Sequence, residues 1–220
     1  MNMDIKTIKI DDNIYPKNLK QIYDPPKTLY CLGNIELLKS NKKIGMIGCR
    51  NFSNYGKNIA EKFAYELSLN GIVIVSGGAR GIDSFSHKGC IMAHKGTIMV
   101  VGNGLDYVYP PENRLLERKI IENNGLIISE YPIGTKPSKY TFPARNRIIS
   151  GISSGILVVE AKQKSGTSIT VDFALEQGKN IYAIPGNIDS ENSSGTNELI
   201  KQGAKMTTMI DDILEDYNMF

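Results

Sequence analysis

Two arginine-bearing loops, one segment joining aromatics to arginines, and one glycine-hydroxyl turn hold the residues of this 220-residue chain that could do chemistry on an anion. In Gly48-Cys49-Arg50-Asn51-Phe52-Ser53-Asn54-Tyr55-Gly56 the first glycine lets backbone approach a ligand, Ser53 can cap a following helix, and Arg50 can fork onto a phosphate. Ser76-Gly77-Gly78-Ala79-Arg80-Gly81-Ile82-Asp83 places three glycines within five residues, so its N–H groups can turn toward an anion at a helix start. Tyr140-Thr141-Phe142-Pro143-Ala144-Arg145-Asn146-Arg147 joins an aromatic pair to two guanidinium groups. Single-stranded nucleic acid is held by that combination, with arginines on phosphates and an aromatic face on a base. The same residues have a structural use open to them: Phe142 in the core, and the arginines capping a helix or paired with Glu130 and Glu160. Ser165-Gly166-Thr167 is again a helix entry suited to phosphate.

Other chemistries lack their residues. Gly102-Asn103-Gly104 begins like a dinucleotide fingerprint but has no third glycine at the required spacing, and no stretch reads GxxxxGK[ST]. His87 and His94 stand seven apart with no Cys or acid to complete a metal or nucleophile set, and they read as surface or packing residues. Cys31, Cys49 and Cys90 are odd in number and without CxxC spacing, which suits reduced thiols. No catalytic residue, metal or cofactor is expected.

Those loops need a scaffold that ends several strands on one rim. From Ile44 onward, short β-branched apolar runs at 44–47, 72–75, 97–101, 126–129, 156–159 and 181–184 read as strands covered on both faces. Ile59, Phe63 and Leu67 mark one face of a helix that Asn70-Gly71 can end. Further helical patterns cover 82–94, 113–122, 147–153, 168–177 and 195–202, with an acidic surface helix at 209–217. The alternation predicts an α/β fold: a doubly wound, mostly parallel, Rossmann-like sheet with helices on both faces. Ligands of such sheets bind outside the carboxyl ends of the strands, near the point where strand order reverses. Residues 1–43 are Lys-rich and carry Tyr15-Pro16 and Asp24-Pro25-Pro26. They read as an N-terminal lead-in segment packed on a core of residues 44–220, with one amphipathic stretch at 19–22.

Net charge is +3, from 26 bases and 23 acids, too small to announce a polyanionic partner. Between Gly134 and Lys164, however, Lys136, Lys139, Arg145, Arg147, Lys162 and Lys164 face a single acid, Glu160, which gives +5 there. No apolar run has signal-peptide or membrane-span length, so the protein is expected to be cytoplasmic and to have no membrane partner.

Taken together, the loops resemble those of the DNA-processing protein A (DprA/Smf) family. The resemblance rests on Gly48-Cys49-Arg50, Ser76-Gly77-Gly78-Ala79-Arg80-Gly81-Ile82-Asp83, Gly102-Asn103-Gly104-Leu105-Asp106, Ser129-Glu130-Tyr131-Pro132, Phe142-Pro143-Ala144-Arg145-Asn146-Arg147, Val159-Glu160-Ala161, Ser165-Gly166-Thr167, Pro185-Gly186 and Gly195-Thr196-Asn197, and it runs from about Tyr15 to Ala204. It implies a bacterial single-stranded DNA-binding protein, not an enzyme, that protects incoming strands in competence and natural transformation. It further implies DNA recombination by loading of the RecA recombinase, usually as a homodimer. Carried over by motif, Arg50, Asn51, Ser53, Ser76, Gly77, Arg80, Lys136, Lys139, Phe142, Arg145, Arg147, Ser165 and Gly166 would bind DNA. Phe142 would be the base-contacting aromatic, and either Lys136 or Lys139 the phosphate-facing lysine. Many relatives carry a helical domain before this core or a winged-helix-like domain after it, whereas this chain reads as the core with short ends. Gly78 also departs from the family's pattern, which commonly has an apolar residue there.

A rival from another class is a nucleoside-monophosphate phosphoribohydrolase, which shares a related fold and the Gly-Thr helix entry. Its pattern places a Glu three residues after that Thr, where this chain has Thr170, so the carboxylate for glycosidic cleavage is absent. A sensor of a small nucleotide would use the same rim without Phe142.

Overall fold

A computed structural model describes residues 4–163 and 165–217; Lys164, one base of the polarised stretch, lies outside the described residues. In chain order the strands are β1 (Ile5–Lys9), β2 (Thr28–Gly33), β3 (Lys43–Ile47), β4 (Val73–Gly77), β5 (Ile98–Val100), β6 (Leu126–Ser129), β7 (Gly155–Val158), β8 (Asn180–Ala183) and β9 (Lys205–Met206). The helices are α1 (Lys17–Lys20), α2 (Asn54–Leu69), α3 (Ile82–Met92), α4 (Arg114–Glu122), α5 (Thr141–Ile152), α6 (Gly166–Glu176), α7 (Ser194–Lys201) and α8 (Asp211–Tyr217).

Alternation along each strand sorts its side chains into two layers. Ile44 and Met46 pack with Phe63 and Leu67 of α2, with Ile82 and Cys90 of α3, and with Ile213 of α8. Ile47, Ile98, Val100, Ile156 and Val158 join Ile148, Ile149 and Ile152 of α5 and Val171 of α6 on the opposite face. Each fully buried large side chain, Phe63 and Leu67 among them, contributes about 1.5–3 kcal/mol by leaving water.

The strand order β1-β2-β6-β5-β4-β3-β7-β8-β9 makes the fold doubly wound and mostly parallel, and β2, antiparallel to both β1 and β6, alone runs against the other strands. The chain steps outward from β3 to β6, returns through α5, and resumes at β7 on the other side of β3. Order therefore reverses between β3 and β7, and their carboxyl ends open the crevice in which such sheets take ligands.

All six expected strands form, and three more join them. Within 1–43, β1 and β2 extend the sheet beyond β6, with Tyr30 opposite Ser129, and α1 buries Leu19 against α5. Helix α5 begins at Thr141, where the sequence pattern placed a start at Arg147. Pro143 suggests a break, but it lies in the first turn, where its missing N–H is not needed. Ser138 and Thr141 close that entry reciprocally: the Thr141 N–H donates to Ser138 Oγ and the Ser138 N–H to Thr141 Oγ1, each at 3.2 Å. Among the described residues no helix is long and apolar enough to cross a membrane.

Candidate nucleic-acid interface

The loops after β3, β4, β5 and β7 and the first two turns of α5 meet at the switch point. Two adjoining cavities, of about 310 and 400 Å³, open there and share Arg50, Asn51, Ala79, Phe142 and Arg145 as walls. Arg50 and Asn51 stand exposed at the rim, and Phe142 is half-buried. The ring centroid of exposed Tyr109 lies 5.2 Å from that of Phe142, at an interplanar angle of 32°. Offset aromatic faces beside guanidinium groups can take a base and its phosphate together.

Behind Arg50, Ser53 caps α2 by accepting from the Gly56 N–H at 3.1 Å, and its own N–H and hydroxyl donate to buried Glu160. Arg80 is exposed and pairs with Glu112, whose carboxyl is held below its usual range first by its own backbone N–H and then by Arg80. Gly81 adopts φ +81, and a Cβ there would run into the carbonyls of Cys49 and Arg50, so only glycine lets these two loops touch. Ser165 and Gly166 open α6 on the wall of the larger cavity, and the buried Ser165 hydroxyl finds no partner among the described residues.

Arg145 is 5% exposed, and its Nη1 donates to the carbonyl of Val100. Its Nε finds no partner among the described residues. Burial lowers its pKa, and neighbouring Asp83 opposes that shift. Asp83 accepts the Ala79 N–H at 3.3 Å, and burial pushes its carboxyl up to about 6 against the pull of Arg145 and Arg50. A guanidinium stripped of water and short of a partner is a strong anion receptor when its cavity opens to solvent.

The remaining residues singled out in the sequence sit in different surroundings. Ser76 is fully buried and donates to the Met46 carbonyl at 2.6 Å, so its hydroxyl is spent inside the sheet. Gly77 lines neither cavity, and a Cβ there would collide with Arg145 Nη1 and Asp83 Oδ2. Arg147 is not a rim residue. Its Nη atoms donate to Glu130 at 2.8 and 2.6 Å, and its Nε to the Asp24 carbonyl at 2.9 Å, because Glu130 and the N-terminal segment meet under α5. Lys136 and Lys139 are exposed on the loop that leads into α5 but line neither cavity; Lys139 Nζ sits 5.2 Å from the Tyr140 ring centroid. His87 is a buried packing residue: its Nε2–H donates to the Gly77 carbonyl at 3.1 Å, and burial pushes its pKa down to about 4. His94 lies exposed past the end of α3, well apart in role. Among the described residues no three His, Cys, Asp or Glu side chains could hold a metal ion.

Sequence reasoning gave Asn103 and Asp83 no role of their own and read Glu160 as an arginine partner, whereas its carboxylate holds Ser53 and Cys49. Asn103 is 1% exposed on the wall of the smaller cavity, and its Oδ1 finds no partner among the described residues. The one signal for Glu160 was its isolation as the only acid in a basic stretch.

Residues 6–218 match the family model described as DNA recombination-mediator protein A. The chain belongs to this family. It is 44% identical over 212 residues to the DNA processing protein DprA of Bacillus subtilis, an alignment covering 96% of this chain and 71% of that one. The X-ray structure of DNA processing protein A from Streptococcus pneumoniae superposes with a TM-score of 0.91 at 42% identity, covering 96% of this chain and 74% of that one. DNA processing protein A from Helicobacter pylori, solved to explain a single-stranded DNA binding mode, superposes at 0.89 with 34% identity, covering 99% and 97%. The family is one of DNA-binding recombination mediators rather than enzymes. The Rossmann-like architecture expected from the strand rhythm is theirs.

Proposed function

We infer that this protein binds single-stranded DNA across the switch-point rim, in the cytoplasm and as a homodimer, shields incoming strands during natural transformation, and delivers them to a RecA recombinase. The observation that carries this reading is Phe142 standing between two cavities with Arg50 and Arg145 on both of its sides. A base can lie against the Phe142 and Tyr109 faces while its phosphates meet the guanidinium groups. Arg80, Ser165 and Gly166 extend the polar wall, Ser53 holds the Arg50 loop from behind, and Lys136 and Lys139 add long-range attraction from the neighbouring loop. The single-strand binding named for the Helicobacter pylori relative supports the same assignment.

Fluorescence anisotropy with oligo-dT, a duplex of equal length and a mononucleotide tests it. The single strand should bind far more tightly than either, with affinity falling steeply as salt rises because several phosphates are neutralised. A flat salt response, or equal affinity for the mononucleotide, counts against the reading. Stimulation of RecA filament growth on the bound strand tests the delivery step.

A further inference from the structure

Glu160 is 1% exposed and lies directly behind the Arg50 loop. A buried carboxylate beside a groove for a polyanion weakens that groove electrostatically, so its presence needs a reason. The groups around it supply one, because they are donors. Oε2 accepts the Ser53 N–H at 3.0 Å and the Cys49 thiol at 3.6 Å, and Oε1 accepts the Ser53 hydroxyl. Burial, then Glu160 itself, pushes the thiol up to about 12, so the thiol keeps its proton and shares it between Glu160 and the Asn51 carbonyl, 3.3 Å away. Gly56 is a glycine because a Cβ there would strike the carboxylate. A glutamine of the same shape would keep one acceptor oxygen but turn its NH₂ against a Ser53 donor, while the Cys49 thiol still reaches the Asn51 carbonyl at 3.3 Å.

The same loop is held from two more sides. The Cys49 N–H donates to the Glu160 carbonyl at 2.8 Å, and the Asn192 side chain donates to the Asn51 carbonyl at 2.9 Å. Gly81 packs against the backbone of Arg50. We propose that Glu160 is the positioning residue of the Arg50 loop, its carboxylate fixing Ser53 and Cys49 so that Arg50 stands over the rim before a strand arrives. The assignment rests on the single-strand reading above and states where its pre-organisation comes from.

Electrostatics and positioning predict opposite signs for Glu160→Gln. Removal of a negative charge alone tightens binding of oligo-dT, whereas loss of the loop anchor weakens it, by about tenfold, and lowers the slope of log K against log salt by about one. Anisotropy titrations on the full chain with Glu160→Gln, Arg50→Ala and the double variant decide between them, with thermal melts confirming the fold. The double variant should bind as Arg50→Ala does, because the anchor acts through that side chain. If Glu160→Gln does not fold, Ser53→Ala removes one donor, leaves the carboxylate paired, and enters the same cycle with the same expected non-additivity. Tighter binding by Glu160→Gln, or effects that simply add, overturns the proposal alone. Parent protein that ignores oligo-dT, or Arg50→Ala that binds as the parent does, fails the single-strand reading and the proposal with it.

Discussion

Three arginines illustrate how little residue type decides by itself. Arg50 is exposed on the rim, Arg145 is buried within reach of it, and Arg147 is spent on Glu130 and Asp24. Arg50→Ala should therefore lower the salt slope of single-strand binding by about one, while Phe142→Ala weakens binding by ~1–3 kcal/mol with the slope nearly kept. Titrations at four salt concentrations separate the two. Arg147→Ala should leave the slope alone and lower unfolding stability by about 3–5 kcal/mol, because Glu130 stays partly buried without its partner; urea denaturation reads this directly. Arg50 and Phe142 were readable as candidates, since an Arg two residues after a strand-ending glycine and a Phe among bases both suit a polyanion. For Arg147 the pair with Glu130 was among the alternatives open in the sequence, but the Asp24 carbonyl was not, because it lies 123 residues away and only the packing of β2 beside β6 brings the segments together.

At the scale of elements, the starts of α3 and α5 face each other across the cavity, and Asp83 and Arg145 are the charges they bring. Asp83 is held at about 6 by burial, so its negative charge is present at pH 7 and lost as pH falls below 6. A phosphate near Arg145 then meets less repulsion. Affinity for oligo-dT should rise between pH 7 and pH 5 at constant ionic strength, and Asp83→Asn should bind more tightly at pH 7 with that rise flattened. A parent profile that falls toward pH 5 would refute the assignment. The six central strands were readable because both faces of each are covered and their residues are mostly apolar. Strands β1 and β2 were not, because Lys6 and Lys9 break the apolar pattern of β1, and the place of β2 is set by pairing with β6 and that of β1 by pairing with β2. Strand β9 is two residues long and carries no periodic signal. The early start of α5 escaped because Pro143 reads as a breaker until the Ser138–Thr141 turn is seen.

For the whole molecule, the sheet order has a consequence for chain integrity. The exposed loop of residues 131–140 is the only stretch of backbone that passes from the strands β1 to β6 to the strands β7 to β9, because order reverses there. Lys139 lies on this loop and is open to trypsin, and Lys136, being followed by Pro137, is not the preferred cut. Cleavage at Lys139 should leave two fragments that elute as one particle, held by the β3–β7 ladder and by the buried face of α5. Arg50 then belongs to one fragment, and Phe142, Arg145 and Ser165 to the other. A strand of DNA lying over all four would be a splint across the break. Nicked protein should accordingly come apart at higher urea with oligo-dT than without it, and the bound nucleic acid would hold the two pieces together where the peptide bond no longer does.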